Sequence, residues 1–334
     1  MTRREVVIDG AGHAALLVDG RLEDLLMEAG DTLPRPGEIH WAKLDRIAPS
    51  AGGAFLRLGG GYQGYMREIK GLKQGQGLLV QVSGYAEPGK AIPVSRRLLH
   101  KSRQVILTPG APGINVSRRI REGGERTRLT GICEGLVGAE TGLILRSAAA
   151  GASEADLTAA VAEVAARAAA AQALSQGTPP AAGPQVTAAE EAMREWEGRL
   201  TQTPDAFEAH GIWEQIQELK EPETPLPSGG SMVVEATRAL VAVDVNTGAN
   251  FSPGAAMTAN VEAARELPRQ LRLRGLGGQI TVDVAPIKKM HRKKLEEELR
   301  RAFRNCPVET SMAGWTPLGH MELQRKRERR PLTL

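Results

Sequence analysis

The sequence predicts an α/β protein of several domains, with a small β-barrel in the first half and a layered α/β unit in the second. At 334 residues the chain is long enough for two or three domains. Residues 37–98 contain five short alternating apolar runs separated by Gly and Pro, a pattern typical of an OB-type barrel. The second half alternates strand-like and helix-like segments, which favours α/β layering.

Bulk composition narrows the protein class. No stretch of eighteen uninterrupted apolar residues occurs, so no membrane span is predicted. The start, MTRREVVIDG, lacks the apolar segment of a signal peptide. Cys133 and Cys306 are far apart and form no CxxC motif, which argues against a disulfide framework. We therefore expect a cytoplasmic protein.

Charge is concentrated near the end of the chain. From Lys288 onward there are thirteen Lys and Arg against six Glu, a local net charge of +7, whereas the whole chain has +4. Such a basic segment indicates either a polyanionic partner such as nucleic acid or simply a solvated helix face.

The elements of the first half follow in chain order. Residues 4–18 are predicted to form two short strands around a Gly turn, and LEDLLMEAG continues as helix or strand. After the barrel, RQVILTP, NVSRRI and TGLILRS are predicted strands. DLTAAVAEVAARAAAAQAL is a helix by propensity, and SQGTPPAAGPQ is a linker. TAAEEAMREWEGRL resumes as helix, with Thr187 and Glu190 in a capping-box pattern.

The second half begins with a predicted hairpin, SMVVEAT and ALVAVDVN. Residues 257–274 form an amphipathic helix that contains Pro268, where we expect a kink. QITVDVAP is the next strand, and HRKKLEEELRRAFRN is the next helix.

Two aspartates occupy equivalent places in this half. Asp244 and Asp283 each end an alternating strand, with one helix between them. A strand–helix–strand unit can place such strands side by side, with both carboxylates at the carboxyl edge of the sheet. Carboxylates that converge there repel one another unless a hard cation such as Mg²⁺ lies between them. Asn246 is positioned to orient Asp244. The alternative is that each aspartate only caps the loop that follows.

Longer segments around these aspartates carry a family resemblance. LPSGGSMVVEATRALVAVDVNTG and ANVEAARELPRQLRLRGLGGQITVDV resemble the catalytic core of the ribonuclease E/G family. The resemblance implies a DNase I-like α/β catalytic subdomain over residues 225–334. It also implies that Asp244 and Asp283 bind one Mg²⁺ ion for RNA backbone cleavage and that Asn246 supports the first aspartate.

Residues 36–100 are similar to the S1 RNA-binding domain of that family, an OB fold. By this resemblance Phe55 and Tyr65 match aromatic positions that contact RNA bases, and Lys43 and Lys90 lie near the RNA backbone. The alternative for Phe55 is a place in the barrel core.

Residues 101–175, with the Ala-rich helix, look like the 5′-sensor subdomain of the family. The resemblance implies that Arg146 and Ser147 hold a terminal 5′-monophosphate, with backbone contacts from Val105. Arg118 and Arg119 match basic residues on the RNA path. Lys101 replaces a family glycine near this pocket. The alternative for Arg146 is an ion pair with a surface glutamate.

The remaining segments, 1–35 and 176–224, are expected to form a reduced RNase H-like subdomain into which the barrel is inserted. The tail GHMELQRKRERR resembles a helix that follows the second aspartate, and its cations would widen a basic surface (Arg325, Lys326, Arg327, Arg329 and Arg330).

The chain also departs from the family pattern. The cysteine pair that shares zinc between subunits has no counterpart, so a homo-oligomer would not be a zinc-linked dimer. Pro286 stands where the family commonly has an acidic residue, which predicts a weaker metal site.

Three functional hypotheses follow. The first is a Mg²⁺-dependent, single-strand-specific RNA endonuclease in RNA processing or decay, stimulated by a 5′-monophosphate. The second is a non-catalytic RNA-binding protein derived from the same family. The third is a small-molecule α/β enzyme that binds phosphate through GLGG, which the position of GLGG after a helix argues against.

Overall fold

The computed structural model describes residues 2–252 and 254–332. In chain order the strands are β1 (Arg4–Ile8), β2 (Ala14–Val18), β3 (Arg21–Leu26), β4 (Ile39–Ala48), β5 (Gly53–Arg57), β6 (Gln63–Met66), β7 (Gly77–Val82), β8 (Ile92–Ser95), β9 (His100–Lys101), β10 (Val105–Pro109), β11 (Gly113–Val116), β12 (Thr141–Leu145), β13 (Ala181–Ala182), β14 (Arg199–Gln202), β15 (Glu223–Pro225), β16 (Ser231–Ala236), β17 (Val241–Asn246), β18 (Gly278–Asp283), β19 (Thr310–Trp315) and β20 (Met321–Arg325). The helices are α1 (Gly123–Cys133), α2 (Glu154–Leu174), α3 (Ala188–Glu195), α4 (Ala206–Ala209), α5 (Ile212–Glu218), α6 (Ala255–Leu273) and α7 (Arg292–Arg304). The chain divides into two units, residues 29–197 and residues 1–28 with 198–334.

The predicted barrel is confirmed within the unit 29–197. Strands β4, β5, β6, β8 and β7 follow one another, and β4 also pairs with β7, which closes the barrel. Alternation places Leu44, Leu56 and Val80 inside. The expected linker contributes one short strand, since Ala181–Ala182 pairs with β4.

A second sheet in this unit has the order β11-β12-β10-β9. Helix α2 packs on it through Leu157, Val161 and Val164, in the same buried cluster as Val105 and Leu143. Among the described residues, α2 is the one helix long and apolar enough to span a membrane by length and composition, a test that core helices also pass. The predicted capping box at Thr187 and Glu190 is present at the start of α3.

In the other unit, β14-β1-β2-β3 form a four-stranded sheet. LEDLLMEAG contributes strand β3 rather than a helix. The sequence EGRL was expected to be helical but enters β14, which pairs in parallel with β1. Helix α3 ends at Glu195, because the backbone of Trp196 is already extended. Phe207 and Ile216 cover the sheet within one buried cluster.

The sheet that carries the two aspartates has the order β15-β16-β17-β18-β20-β19. The predicted hairpin is confirmed as β16 and β17, and α6 runs unbroken through Pro268. Helices α6 and α7 pack on one face through Leu267, Leu271 and Leu299, against Val243 and Val282 of the sheet. The alternate residues of β17 and β18 lie on the other face of the sheet, where Asp244, Asn246 and Asp283 are exposed. The sheet therefore presents an open face opposite its helices.

The tail does not continue as a helix, and that prediction is wrong. Met321, Leu323 and Arg325 are buried and alternate with more exposed residues, a period-two pattern that pairs as β20 with β18 and β19. Arg325 is only 1% exposed and donates from Nε to the Leu276 carbonyl at 3.1 Å. Arg329 is also buried and donates to Asp24 at 3.1 Å. These two cations stabilise the fold and do not widen a basic surface.

Candidate active site

Asp244 and Asp283 are direct neighbours in the sheet. They are register partners on the parallel strands β17 and β18. Val243 and Val282 point into the core, so the alternation turns both aspartates onto the open face, where both are exposed. Adjacent strands lie about 4.8 Å apart. Two carboxylates at that spacing repel one another in the absence of a bridging positive charge.

Two further side chains contact the pair. Asn246, two residues on along the same face, donates from Nδ2 to Asp244 Oδ2 at 2.7 Å. This bond engages one oxygen of the Asp244 carboxylate. On the other side, His320 Nε2 lies 3.7 Å from Asp283 Oδ1. Asn246 was predicted from the sequence, whereas His320 was not.

The donor set fits a hard divalent cation that keeps most of its water. Mg²⁺ is commonly held by one or two carboxylates with water in its other positions. Asp244 and Asp283 supply two carboxylates, and their exposure leaves room for water. Within residues 2–252 and 254–332, no three His, Cys, Asp or Glu side chains converge as a metal cluster. Pro286 is exposed and provides no side-chain ligand.

The barrel carries an aromatic and basic patch on its outer surface. Phe55 is half-buried and lies outside the buried barrel core, in contrast to the core alternative. Its ring centroid is 5.5 Å from that of Tyr65, and the Arg46 guanidinium stacks over it at 4.7 Å. Lys43 pairs in register with Arg57 on the neighbouring strand. Base faces and phosphates both find partners on such a surface.

Lys90 lies in an exposed turn outside this aromatic cluster. Its Nζ pairs with Glu87 at 2.6 Å. Arg118 and Arg119 are exposed just after β11. These three cations are accessible, as contacts to an RNA backbone require. The exposed ion pair of Lys90 contributes little to stability.

Arg146 is already engaged within the protein. Its guanidinium donates to the Ser102 carbonyl at 2.7 Å, to the Arg194 carbonyl at 3.2 Å and to Glu195 Oε2 at 2.5 Å. The Arg146 and Glu195 side chains are 23% and 17% exposed. Arg146 thus pairs with a glutamate, as the alternative interpretation expected, but with a mostly buried one at the end of α3.

Other predicted sensor residues lie beside Arg146. Val105 is fully buried, and its N–H donates to Ser102 Oγ at 3.2 Å, so its backbone helps build the turn that Arg146 contacts. Ser147 is exposed directly after Arg146. The structure therefore brings Val105, Arg146 and Ser147 to one end of the β10–β12 pair.

A sequence profile of the Ribonuclease E/G family matches residues 101–195 and 184–328. These ranges cover more than half of the chain and include both aspartate-bearing strands. The chain belongs to the ribonuclease E/G family. Membership makes it an endoribonuclease, with RNA processing or decay as its field of action and RNA as its substrate.

Several relatives agree with the ribonuclease E/G assignment. Ribonuclease G of Salmonella typhimurium is 26% identical over 95% of this chain and 78% of its own length. Ribonuclease E of Haemophilus influenzae is 28% identical over 93% of this chain but only 40% of its own length. A segment covering 36% of this chain is 37% identical to ribonuclease E of Escherichia coli. The chain therefore corresponds to most of the ribonuclease G relative and to part of the ribonuclease E ones.

Two residues of the family-like segments join helix α6 to neighbouring loops and were not singled out from the sequence. Asn260 is 2% exposed; it donates from Nδ2 to the Ala285 carbonyl at 2.8 Å and accepts from the Ala285 N–H at 2.9 Å. Glu262 accepts from the Ser228 N–H at 3.0 Å and from Ser228 Oγ at 2.7 Å. Both lie in ANVEAA on helix α6, where Asn260 is buried and Glu262 is half-buried. A polar side chain within an apolar helix pattern is the signal that marks such residues.

The GLGG segment has a structural role in this ribonuclease E/G fold. Gly275 has φ +65°, and a side chain there would collide with the Arg330 carbonyl. Gly278 starts strand β18 instead of a helix. Since a phosphate loop needs a following helix N-terminus, the third hypothesis is wrong. Cys306 forms no CxxC motif, and its Sγ accepts hydrogen bonds from Arg272 at 3.5 Å and Arg325 at 3.4 Å.

Proposed function

We propose that this chain is a Mg²⁺-dependent endonuclease of single-stranded RNA that cuts at the Asp244–Asp283 pair. The observation that carries the proposal is their register pairing on adjacent parallel strands, on the face of the sheet that is open to solvent. The relatives named ribonuclease G and ribonuclease E support RNA as the substrate. The expected setting is cytoplasmic.

Each residue of the pair has a distinct part in this proposal. Asp244 and Asp283 would hold the cation, and the bond from Asn246 to Asp244 Oδ2 keeps that carboxylate in one orientation. When bound, Mg²⁺ lowers the pKa of a coordinated water and stabilises negative charge on the phosphate. The exposed Lys288 and Lys289 follow β18 and would attract the RNA backbone toward the pair.

The barrel and the sensor region would deliver the RNA. We propose that Phe55 and Tyr65 stack on bases, with Lys43, Lys90, Arg118 and Arg119 near phosphates. Arg146, with Ser147 and the Val105 backbone, would bind a 5′-monophosphate, which stimulates cleavage. Because the Arg146 guanidinium already donates a hydrogen bond to Glu195, the phosphate would have to displace that carboxylate. The S1, RNase H-like and DNase I-like subdomain identities, with the boundaries given above, belong to the same proposal.

The test compares Asp244→Asn and Asp283→Asn with the wild type on one single-stranded RNA, in Mg²⁺ and in EDTA. Each variant should lose cleavage while keeping its RNA affinity, and EDTA should abolish wild-type cleavage. Glu235→Gln is the matched control, since Glu235 is an exposed carboxylate on β16, in register with Ala242 rather than with either aspartate. Full cleavage by either Asp variant would refute the site.

The same assay separates the second hypothesis. A non-catalytic RNA-binding protein would leave RNA intact in Mg²⁺ and would bind it independently of metal. Using 5′-monophosphate and 5′-hydroxyl forms of the RNA tests the sensor, because only the charged end can engage Arg146. Equal rates on both forms would remove Arg146 and Ser147 from the proposal without affecting the aspartates.

A further inference from the structure

Three apolar side chains of the described chain stand out by their exposure. Phe251 is 90% exposed, Leu318 85% and Met290 77%. The other large exposed apolar residues reach at most 48%. Large apolar side chains held this far into solvent are a recurrent sign of a binding surface when they cluster.

These three residues lie at one edge of one sheet. Phe251 follows the end of β17 by five residues, and Met290 follows the end of β18 by seven. Leu318 occupies the turn between β19 and β20, which reaches the same edge because Met321 pairs with Val282, next to Asp283. The loops that carry the three apolar residues therefore all leave the end of the sheet at which the two aspartate-bearing strands terminate.

The turns that present them are internally bonded. Asn250 Oδ1 accepts from the Ser252 N–H at 3.0 Å and from Ser252 Oγ at 2.6 Å, on either side of Phe251. The turn around Leu318 is closed by the Thr316 N–H donating to the His320 carbonyl at 2.8 Å. The side chains are thus displayed by defined turns, which lowers the entropy lost when they bind.

Positive charge accompanies these apolar residues. Lys288 and Lys289 precede Met290 and are exposed. Arg292 follows it and stacks on Trp315 at 4.5 Å, which ties this loop to the β19–β20 hairpin. Cations interleaved with apolar and aromatic side chains match single-stranded RNA, whose phosphates and base faces are both accessible. An apolar protein partner would not explain the cations or their place beside the aspartates.

We propose that Phe251, Met290 and Leu318 form an apolar rim that packs against unpaired nucleobases next to the scissile phosphate and so selects single-stranded RNA. The inference rests on the proposed cleavage site and adds a specificity determinant to it. In a duplex the base faces are stacked on one another and cannot reach the rim.

The test measures the affinity of a fluorescent single-stranded oligoribonucleotide by anisotropy, in the Asp244→Asn background. Phe251→Ala should raise Kd by about 5- to 150-fold, the range for loss of one base-stacking ring. Phe251→Trp should restore affinity. A series of oligonucleotides with one abasic ribose at each position locates the contact. At the position that the Phe251 ring contacts, the abasic site should cause no further loss of affinity in Phe251→Ala. Met290→Ala and Leu318→Ala should give smaller losses. The triple variant should lose part of the preference for single strands over duplexes, and the part due to Phe55 and Tyr65 should remain.

Leu200→Ala is the matched control, because Leu200 is 44% exposed on β14, in another sheet. Unchanged RNA affinity in Phe251→Ala would overturn the proposal and would assign the rim to a protein partner. An equal loss on intact and fully abasic RNA would also overturn it, since the rim would then not contact bases. Binding is read without cleavage, so retained activity in Asp244→Asn would refute the metal site alone.

Discussion

The Asn260 carboxamide should control the geometry of the proposed metal site through the backbone of Ala285. It makes both backbone hydrogen bonds of Ala285, two residues after Asp283, in a setting where Asn260 is 2% and Ala285 3% exposed. Asn260→Ala removes both partners and leaves a buried N–H and a buried carbonyl unsatisfied. Each such group costs about 1–3 kcal/mol, so we expect a loss of about 2–6 kcal/mol in the free energy of unfolding.

The functional effect should exceed what lower stability explains. Without the two Asn260 hydrogen bonds, here called the Asn260 clamp, the backbone after Asp283 should no longer fix that carboxylate relative to Asp244. Loss of a residue that orients a metal ligand typically lowers metal affinity or activity about 10- to 100-fold. The assay is Mn²⁺ binding by calorimetry and RNA cleavage, both at a temperature where urea unfolding shows the variant fully folded.

Gln270→Ala is the matched control for Asn260→Ala. Gln270 is also an amide on α6, is 3% exposed and makes two side-chain hydrogen bonds, to Glu266 at 2.9 Å and from Arg274 at 3.0 Å. It should lose stability and keep its metal affinity. If both variants lose metal affinity equally, or if Asn260→Ala binds metal as the wild type does, the positioning argument fails.

Two further predictions concern the unit 29–197. Glu195→Gln should raise the cleavage ratio of 5′-monophosphate to 5′-hydroxyl RNA several-fold, because it frees the Arg146 guanidinium; an unchanged ratio with lower stability would mean that Arg146 is structural. Burial, aided by Arg167, lowers the pKa of His100 from 6.5 to about 4. The folded protein therefore keeps this imidazole neutral, whereas the unfolded chain takes up a proton as pH falls below 6.5. The free energy of unfolding should decrease as pH falls from 6.5 to 4. Urea unfolding should show up to about 3 kcal/mol more acid destabilisation in wild type than in His100→Gln, and parallel pH profiles would contradict this.

Local patterns predicted the elements that depend on local chemistry. The barrel strands follow from apolar alternation, and the start of α3 follows from Thr187 and Glu190, because a capping box involves only four consecutive residues. The placement of Asp244 and Asp283 at one sheet edge followed from a strand–helix–strand spacing that permits little else. Their direct pairing is a matter of register, and a slip of one residue would have turned one carboxylate into the core.

Long-range partners were beyond such reasoning. Glu195 meets Arg146 across 49 residues, and nothing near Arg146 in sequence marks that carboxylate. The tail was mistaken for a helix because its many cations conceal the alternation of Met321, Leu323 and Arg325. From sequence alone an arginine is expected at the surface. Arg325 is buried because it donates to the Leu276 carbonyl and to Thr310, which the sequence does not reveal.

Pro286 stands where the family commonly has an acidic residue, so the proposed metal site has two carboxylates without that further acid. A site with two carboxylates gains affinity either from further ligands or from holding the two it has in a fixed geometry. Here Asn246 donates to the Asp244 carboxylate, and Asn260 fixes the backbone two residues after Asp283, so the proposed site relies on positioning of its two carboxylates rather than on further ligands. A proline at 286 is compatible with this arrangement because the clamp uses the backbone of Ala285 and needs nothing from the next side chain. In the proposed site, Asn246 and Asn260 therefore act as neutral positioning residues that add no charge to the carboxylate pair.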